Sequence, residues 1–327
     1  MNTPRFIVSA VIAGACIGTS FEIQAQTLWQ DNFDVDSTVN WSVLTTSGGA
    51  QAANAYFDYS SVGIPSAPNS AGGSTWGLRM QANIFDTAGA FPGGVSVSTV
   101  GLGLVGDFRV KYDMWVNFNG PLDVGGSGST QITAGGFGTA GSSVQVAGGA
   151  IDSLLFGASG DGGSSADYRV YSPTAQSSYQ DASGVYAAGT TDSPRNNSNP
   201  YYAGFGGELA PDAQLALYPG QTLATAVGAQ GFAWRDVVIE KVGDTVTWSI
   251  DGVLLATVDT AGMTLGGGEL VFSQFDIQAN ASTDANSVDL QFGLIDNVRV
   301  EVIPEPTAMV LLGLGGALMA VPARRRR

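Results

Sequence analysis

Strict alternation of apolar and polar side chains is the dominant pattern of this chain. Across 108–118 every even position is apolar, and four of the five odd positions are polar. Period two belongs to a strand with one face on a core and the other turned outward. The exception is Trp115, a large aromatic on the polar side. A hairpin series follows in 233–258. Strands are expected at 237–242 and 245–250, joined by Gly243-Asp244, with Val246, Trp248 and Ile250 inward. Asp251-Gly252 is a type I′ turn signal, and 253–258 returns. Further strands are expected at 41–44, 77–81, 154–157, 168–171 and 270–275. The last is 290–302, where Leu290, Phe292 and Leu294 alternate before the phase slips near Asp296-Asn297, as at a bulge.

Two stretches break the alternation. Residues 120–165 are rich in glycine and serine and read as loop or as strands of low intrinsic stability. A second connection, 175–207, carries Arg195-Asn196-Asn197-Ser198-Asn199-Pro200, followed by Tyr201, Tyr202 and Phe205. Neither an internal repeat nor an inter-domain linker is evident. One large all-β, antiparallel sandwich over 26–302 is the economical reading.

The two ends follow a different rule. Residues 1–25 carry one positive side chain (Arg5), an apolar stretch, and Ile23-Gln24-Ala25 before Gln26. That is the pattern of a secretory signal peptide, handled by the Sec translocon and signal peptidase. The single cysteine, Cys16, falls inside it, in Ala13-Gly14-Ala15-Cys16, a loose version of a lipoprotein box. At the other end Pro304-Glu305-Pro306 is an extended elbow. An uncharged run of 17 residues, 307–323, is at the short limit for a helix spanning a bilayer, and Arg324, Arg325, Arg326 and Arg327 close the chain. This tripartite segment, 303–327, resembles the PEP-CTERM sorting signal of Gram-negative bacteria. The resemblance implies an exosortase as partner, transient anchoring in the inner membrane through 307–323, and final delivery to the cell surface or extracellular matrix.

Composition narrows the chemistry of the middle. The whole chain has 28 acids, 13 bases and no histidine. Only Glu22 and Glu305 among the acids, and Arg5 and the terminal arginines among the bases, fall outside 26–302, which leaves 26 acids against 8 bases there. Such a surface repels nucleic acid and anionic membranes. The missing histidine removes the commonest general base and transition-metal ligand. No Gly-x-Ser-x-Gly elbow and no phosphate loop occur.

The residues of 234–258, with their order of strand, Gly-Asp, strand, Asp-Gly, strand, resemble the late hairpins of concanavalin A-like lectin and glucanase jelly rolls (LamG-like domains included). Trp29-Gln30-Asp31-Asn32-Phe33-Asp34 and Gly293-Leu294-Ile295-Asp296-Asn297-Val298-Arg299-Val300 resemble the first and last strands of such domains. Glucanases of this kind carry Glu-x-Asp-x-x-Glu or Glu-x-Asp-x-Glu on one strand, and no such motif occurs here. No aspartate pair stands out from the turn population either. The resemblance also implies that a structural calcium could join the first and last strands, with Asp31 or Asp34 and Asp296 as ligands; no other cofactor is called for. Asp161 to Asp167 is a weaker loop candidate.

Sugar binding would use aromatic faces, with Trp115, Tyr201 and Tyr202 as candidates and Asn196, Asn197 and Asn199 as hydrogen-bonding neighbours. The reading at this point is a secreted, non-enzymatic structural or adhesive protein associated with extracellular polysaccharide. The alternatives are a glycan-active hydrolase or lyase on the same fold, and a coat protein without a specific ligand.

Overall fold

The computed structural model describes residues 26–48, 50–84, 91–119, 130–222, 224–278 and 285–303. The signal-peptide reading (with Cys16) and the sorting motif from Pro304 to Arg327, its apolar helix included, lie outside them. Among the described residues no helix is long and apolar enough to cross a membrane.

In chain order the strands are β1 (Gln26–Asp31), β2 (Trp41–Thr45), β3 (Ala52–Asp58), β4 (Trp76–Gln81), β5 (Gly93–Thr99), β6 (Phe108–Asn117) and β7 (Gln131–Thr139). They continue as β8 (Leu154–Ser159), β9 (Tyr168–Tyr171), β10 (Trp234–Val242), β11 (Thr245–Ile250), β12 (Val253–Asp259), β13 (Glu269–Asp276) and β14 (Phe292–Val302). The larger sheet has the order β12-β11-β10-β6-β14-β4-β3, with β1 also paired to β14; the smaller has the order β2-β5-β13-β7-β8-β9. The paired strands run antiparallel. The fold is the jelly-roll sandwich that the alternation implies.

The sandwich closes because the alternating faces meet. Val110, Tyr112, Met114 and Val116 of β6 join Val237 and Ile239 of β10 and Val298 and Val300 of β14 in the central core. From the smaller sheet come Val95, Val97, Phe137, Leu154, Phe156 and Phe272. Each such side chain taken out of water stabilises the fold by about 1.5–3 kcal/mol. Trp248 of β11 lies in the same core against Phe156 and Tyr168. At the β11–β12 turn Asp251 and Gly252 both have positive φ (49° and 76°), as a type I′ turn requires.

The glycine-rich stretch departs from the sequence reading. Residues 131–139 are not loop but β7, fully buried and paired on one side to β13 and on the other to β8. The glycines are there because neighbouring backbones and rings come too close for a Cβ. At Gly136 a Cβ would lie 2.0 Å from the Leu154 carbonyl oxygen, and at Gly135 it would lie 2.4 Å from the Tyr112 hydroxyl. The last strand also starts later than expected: Leu290 ends a short helix, Ser287–Leu290, and β14 begins at Phe292. The expected bulge is present, since the β14–β6 register shifts between Asp296 and Arg299, and Asn297 has φ 51°.

Both outer faces carry cover. On the smaller sheet Val146, Ala147 and Ile151 lie over Ile132, Ala134, Leu155, Val271 and Phe275. On the larger sheet one half is roofed by Tyr59, Val62, Ile64, Ala210 and Phe232, which pack on Trp115, Phe292 and Leu294. The other half carries Arg109, Lys111, Glu240, Arg299 and Glu301. The line between the two halves is where chemistry can be placed.

Candidate active site

Three aspartates occupy that line. β6 lies between β10 and β14, and Asp113 is the direct partner of Asp236 on one side and of Asp296 on the other. Direct partners across antiparallel strands share a face, with Cβ atoms about 4.5–5.5 Å apart. Asp236, Asp113 and Asp296 therefore form a row, each one strand from the next.

The bulge shapes the ground beside the row. β14 pairs with β4 through Gly293–Ile295 and with β1 from Val298 onward, so the Asp296-Asn297 step has no strand on that edge. The turn carrying Asn69 and Ser70 fills this split from above. A groove of about 420 Å³ opens there, lined by Gln30, Asn32, Asn69, Lys111, Asp236, Asn297 and Arg299 among others.

The three carboxylates differ in environment. Asp236 is exposed, and its backbone N–H donates to Asp251 Oδ1 at 2.9 Å, so the Asp-Gly turn of the following hairpin fixes its place. Asp113 is 1% exposed. It accepts from Asn69 Nδ2 at 2.7 Å, from the Asn69 N–H at 3.3 Å and from Asn297 Nδ2 at 2.8 Å. Asp296 is fully buried and accepts from the Tyr59 hydroxyl at 3.0 Å, the Ser70 hydroxyl at 2.8 Å and the Asn297 N–H at 2.6 Å.

Burial dominates both buried groups. It pushes Asp296 up to about 7, helped by the neighbouring Asp113, against the hydrogen bonds from Ser70, Tyr59 and Asn297. Burial raises Asp113 as well, with Asp236 adding to the rise and Asn297 and Asn69 opposing it. Buried carboxyl groups with raised pKa values beside an exposed acid are the arrangement from which acid–base pairs are built.

A stability consequence follows from the raised groups. Asp276, buried under Asn83 Nδ2 at 2.8 Å, is likewise pushed up to about 7 by burial. Between about pH 4 and pH 7 the folded chain holds protons on Asp296 and Asp276 that the unfolded chain has released. The folded state binds more protons, so stability falls as pH rises through that window. Melting temperatures at pH 5 and pH 8 are expected to be higher at pH 5, and a rise toward pH 8 would contradict this assignment.

The residues singled out from the sequence are placed as follows. Trp115 is 2% exposed, enclosed by Tyr59, Trp234 and Phe232, with its Nε1–H donating to Asn117 Oδ1 at 3.1 Å; its ring offers no face to solvent. Tyr202 is buried, stacked on Tyr168, and donates to the Pro194 carbonyl at 2.6 Å. Tyr201, 41% exposed, donates to the Leu254 carbonyl at 2.7 Å at the far edge of the larger sheet. Asn196, Asn197 and Asn199 hold the 192–202 loop through the Ser164, Val227 and Asp192 carbonyls. These side chains do not converge with Trp115 on one surface.

Asp31 accepts from the Phe33 N–H, the Ser37 hydroxyl and Trp41 Nε1. Asp34 accepts from Asn32 Nδ2. Asp31, Asp34 and Asp296 are not brought together: among the described residues no group of three or more acids, cysteines or histidines is spaced to hold a metal. Asp161 and Asp167 accept from the Gly163 N–H and from the Ser159 hydroxyl and Asn197 N–H.

Asp113 and Asp236 were missed by the sequence reading. Their signal was present only as polar positions in alternating strands, and their meeting depends on pairing residues more than 100 positions apart.

No family model matches the chain. No curated protein matches it either. Solved structures do. It is similar to a laminarinase from Flavobacterium, with 12% identity and TM-score 0.42, over 84% of this chain and 100% of that one. It is similar to a β-glucanase from Bacillus licheniformis, with 9% identity and TM-score 0.38, over 84% and 98%. A carbohydrate-binding module from Bacillus subtilis also matches, with 9% identity and TM-score 0.35, over 80% and 95%. The likeness is one of fold. The expectation of a non-enzymatic structural protein rested on the lack of a carboxylate pair, and the row supplies one. That expectation is corrected here.

Proposed function

We propose that this chain is an exported glycan-active enzyme, a hydrolase whose working pair is Asp236 and Asp113. The observation that carries the proposal is the row itself: an exposed aspartate lining a groove, beside a buried one whose pKa burial raises. A separation of one strand suits retaining hydrolysis, which needs its two carboxyl groups about 5–5.5 Å apart. In this reading the Asp236 carboxylate attacks the anomeric carbon while Asp113 gives its proton to the departing sugar oxygen. Water then enters, and its oxygen bonds to the anomeric carbon as Asp113 takes its proton and the bond to Asp236 breaks. This frees the sugar and restores both side chains. Asp296 is a positioning residue. Held by Tyr59 and Ser70, it accepts from the backbone N–H of Asn297 and so fixes the residue whose Nδ2 donates to Asp113.

Asn69 lies over Asp113 in this structure, so substrate entry requires the turn bearing Asn69 and Ser70 to lift. The test is release of reducing ends from β-linked glucans by the purified protein, with loss of release in Asp236→Asn.

The signal-peptide pattern of 1–25 and the PEP-CTERM-like segment 303–327 support export through the Sec translocon and sorting by an exosortase to the cell surface or matrix. There an extracellular polysaccharide would be the substrate at hand. Deleting 303–327 is expected to change the location of the protein from cell surface to periplasm or medium, read by fractionation.

A further inference from the structure

We infer that the sugar accepted beside this carboxylate pair is an acidic one, bound through its anionic group by Lys111 and Arg299. This rests on the proposed reading and names its substrate class. The region 26–302 is strongly acidic, with only 8 bases. Three of those bases, Arg109, Lys111 and Arg299, nevertheless gather on the unroofed half of the larger sheet. Lys111 and Arg299 are direct cross-strand partners and both line the groove. Like charges placed opposite one another across strands are destabilising, and here only the shared Glu301 offsets the repulsion.

The carboxylates beside these cations are shared. Glu301, 7% exposed at its side chain, is shared by Arg299 at 3.1 Å, Arg109 at 3.7 Å and Lys111 at 3.8 Å. Glu240 is engaged with Arg109 at 2.5 Å. Three cations share these two carboxylates, and the further one, Asp236, stands apart at the reacting end of the groove. Lys111 is the loosely held cation at the groove: its ion partner among the described residues is 3.8 Å away, and its side chain is 40% exposed. Arg299 spends Nε and Nη2 on the Thr27 hydroxyl at 3.0 and 2.7 Å, which fixes the guanidinium in place at the groove wall.

Lys111 also sits two residues before Asp113 on the same face, about 6.5–7 Å along the strand. An anionic group held there belongs to a sugar next to the bond under attack. Asp236, the one carboxylate among the described residues lining the groove, lies at the reacting end. A carboxylate of a uronic acid and a sulfate ester share the chemistry required, and the Arg299 fork suits either.

The test is affinity of the full-length Asp113→Asn protein for three oligosaccharides of equal length: an oligogalacturonate, a sulfated galactan and a neutral β-glucan. At least one anionic probe is expected to bind about 10-fold or more tightly than the neutral one, with the difference shrinking at high salt. Whichever anionic probe binds better identifies the group as carboxylate or sulfate. Lys111→Gln/Arg299→Gln should abolish the difference; if that variant does not fold, Lys111→Gln alone carries the test at its exposed position. Equal or tighter binding of the neutral probe, binding of none of the three, or an undiminished anionic preference in the variant would overturn the inference. The hydrolase reading fails separately: acidic binding by the unsubstituted protein without sugar release sinks that reading and leaves this one, while cleavage of neutral glucan without acidic preference does the reverse.

Discussion

Asp236→Asn should reduce glycan cleavage by about 10²–10⁴-fold while changing stability by no more than about 0.5 kcal/mol. The contrast decides the role. Asp236 is exposed, and its place in the fold is held by its backbone N–H to Asp251 rather than by its carboxylate. A merely structural residue at such a site would show neither effect. Asp113→Asn is expected to abolish cleavage as well, with some stability lost, because an amide at position 113 cannot accept from Asn69 and Asn297 as the carboxyl group does. Reducing-end release and urea melts on the same preparations separate the two contributions. Full activity in Asp236→Asn would remove it from the mechanism.

The second large effect is on the fold. Gly136→Ala should destabilise the protein by about 3 kcal/mol or more, near the upper end for overpacking substitutions. Its new methyl group would lie 2.0 Å from the Leu154 carbonyl oxygen and 2.9 Å from the Leu155 Cα. Both are backbone atoms of the hydrogen-bonded partner strand β8, so no side-chain rotation relieves the contact. The strands must part at the centre of the smaller sheet. Gly204→Ala, where nothing lies within 4 Å of the added carbon, is the control and should stay within about 0.5 kcal/mol. Equal melting of the two variants would contradict the packing argument.

These two sites show what the sequence could and could not reveal. Strands β6, β10, β11 and β12 were legible because alternation and turn residues are local: Asp251-Gly252 takes the positive φ angles its type I′ turn needs. The bulge at Asp296-Asn297 was legible as a slip of phase. β7 was hidden because its glycines, required by close approach of Leu154 and Tyr112, look like loop residues to any local rule. Trp115 was legible as an anomaly, but a second core with residues from 57–64 and 210–234 covers it, and one strand's pattern cannot show a roof. The carboxylate row was out of reach for a related reason. Asp113, Asp236 and Asp296 acquire meaning only from the register of three strands distant in sequence. The raised pKa values of Asp113 and Asp296 come from burial beneath Asn69, Ser70 and Tyr59, which no spacing encodes.

The same burial ties the chemistry to pH. Asp113 can deliver a proton only while it holds one, and its raised pKa extends that range upward from the usual carboxylate range. The alkaline limb of the activity profile is therefore expected above the ordinary carboxylate range, and a limb within that range would contradict Asp113 as the acid. Tyr59 and Ser70, which hydrogen-bond Asp296, would act through it and not on the substrate.

The measurement that tests the central claim most directly is incubation of the purified full-length protein with neutral and acidic β-linked oligosaccharides, following the anomeric protons of the products by NMR. The account predicts cleavage with the anomeric configuration kept, as the one-strand separation of Asp236 and Asp113 requires. Cleavage with inversion would contradict the assignment of these two residues as the pair, and no cleavage of any of them would contradict the enzyme.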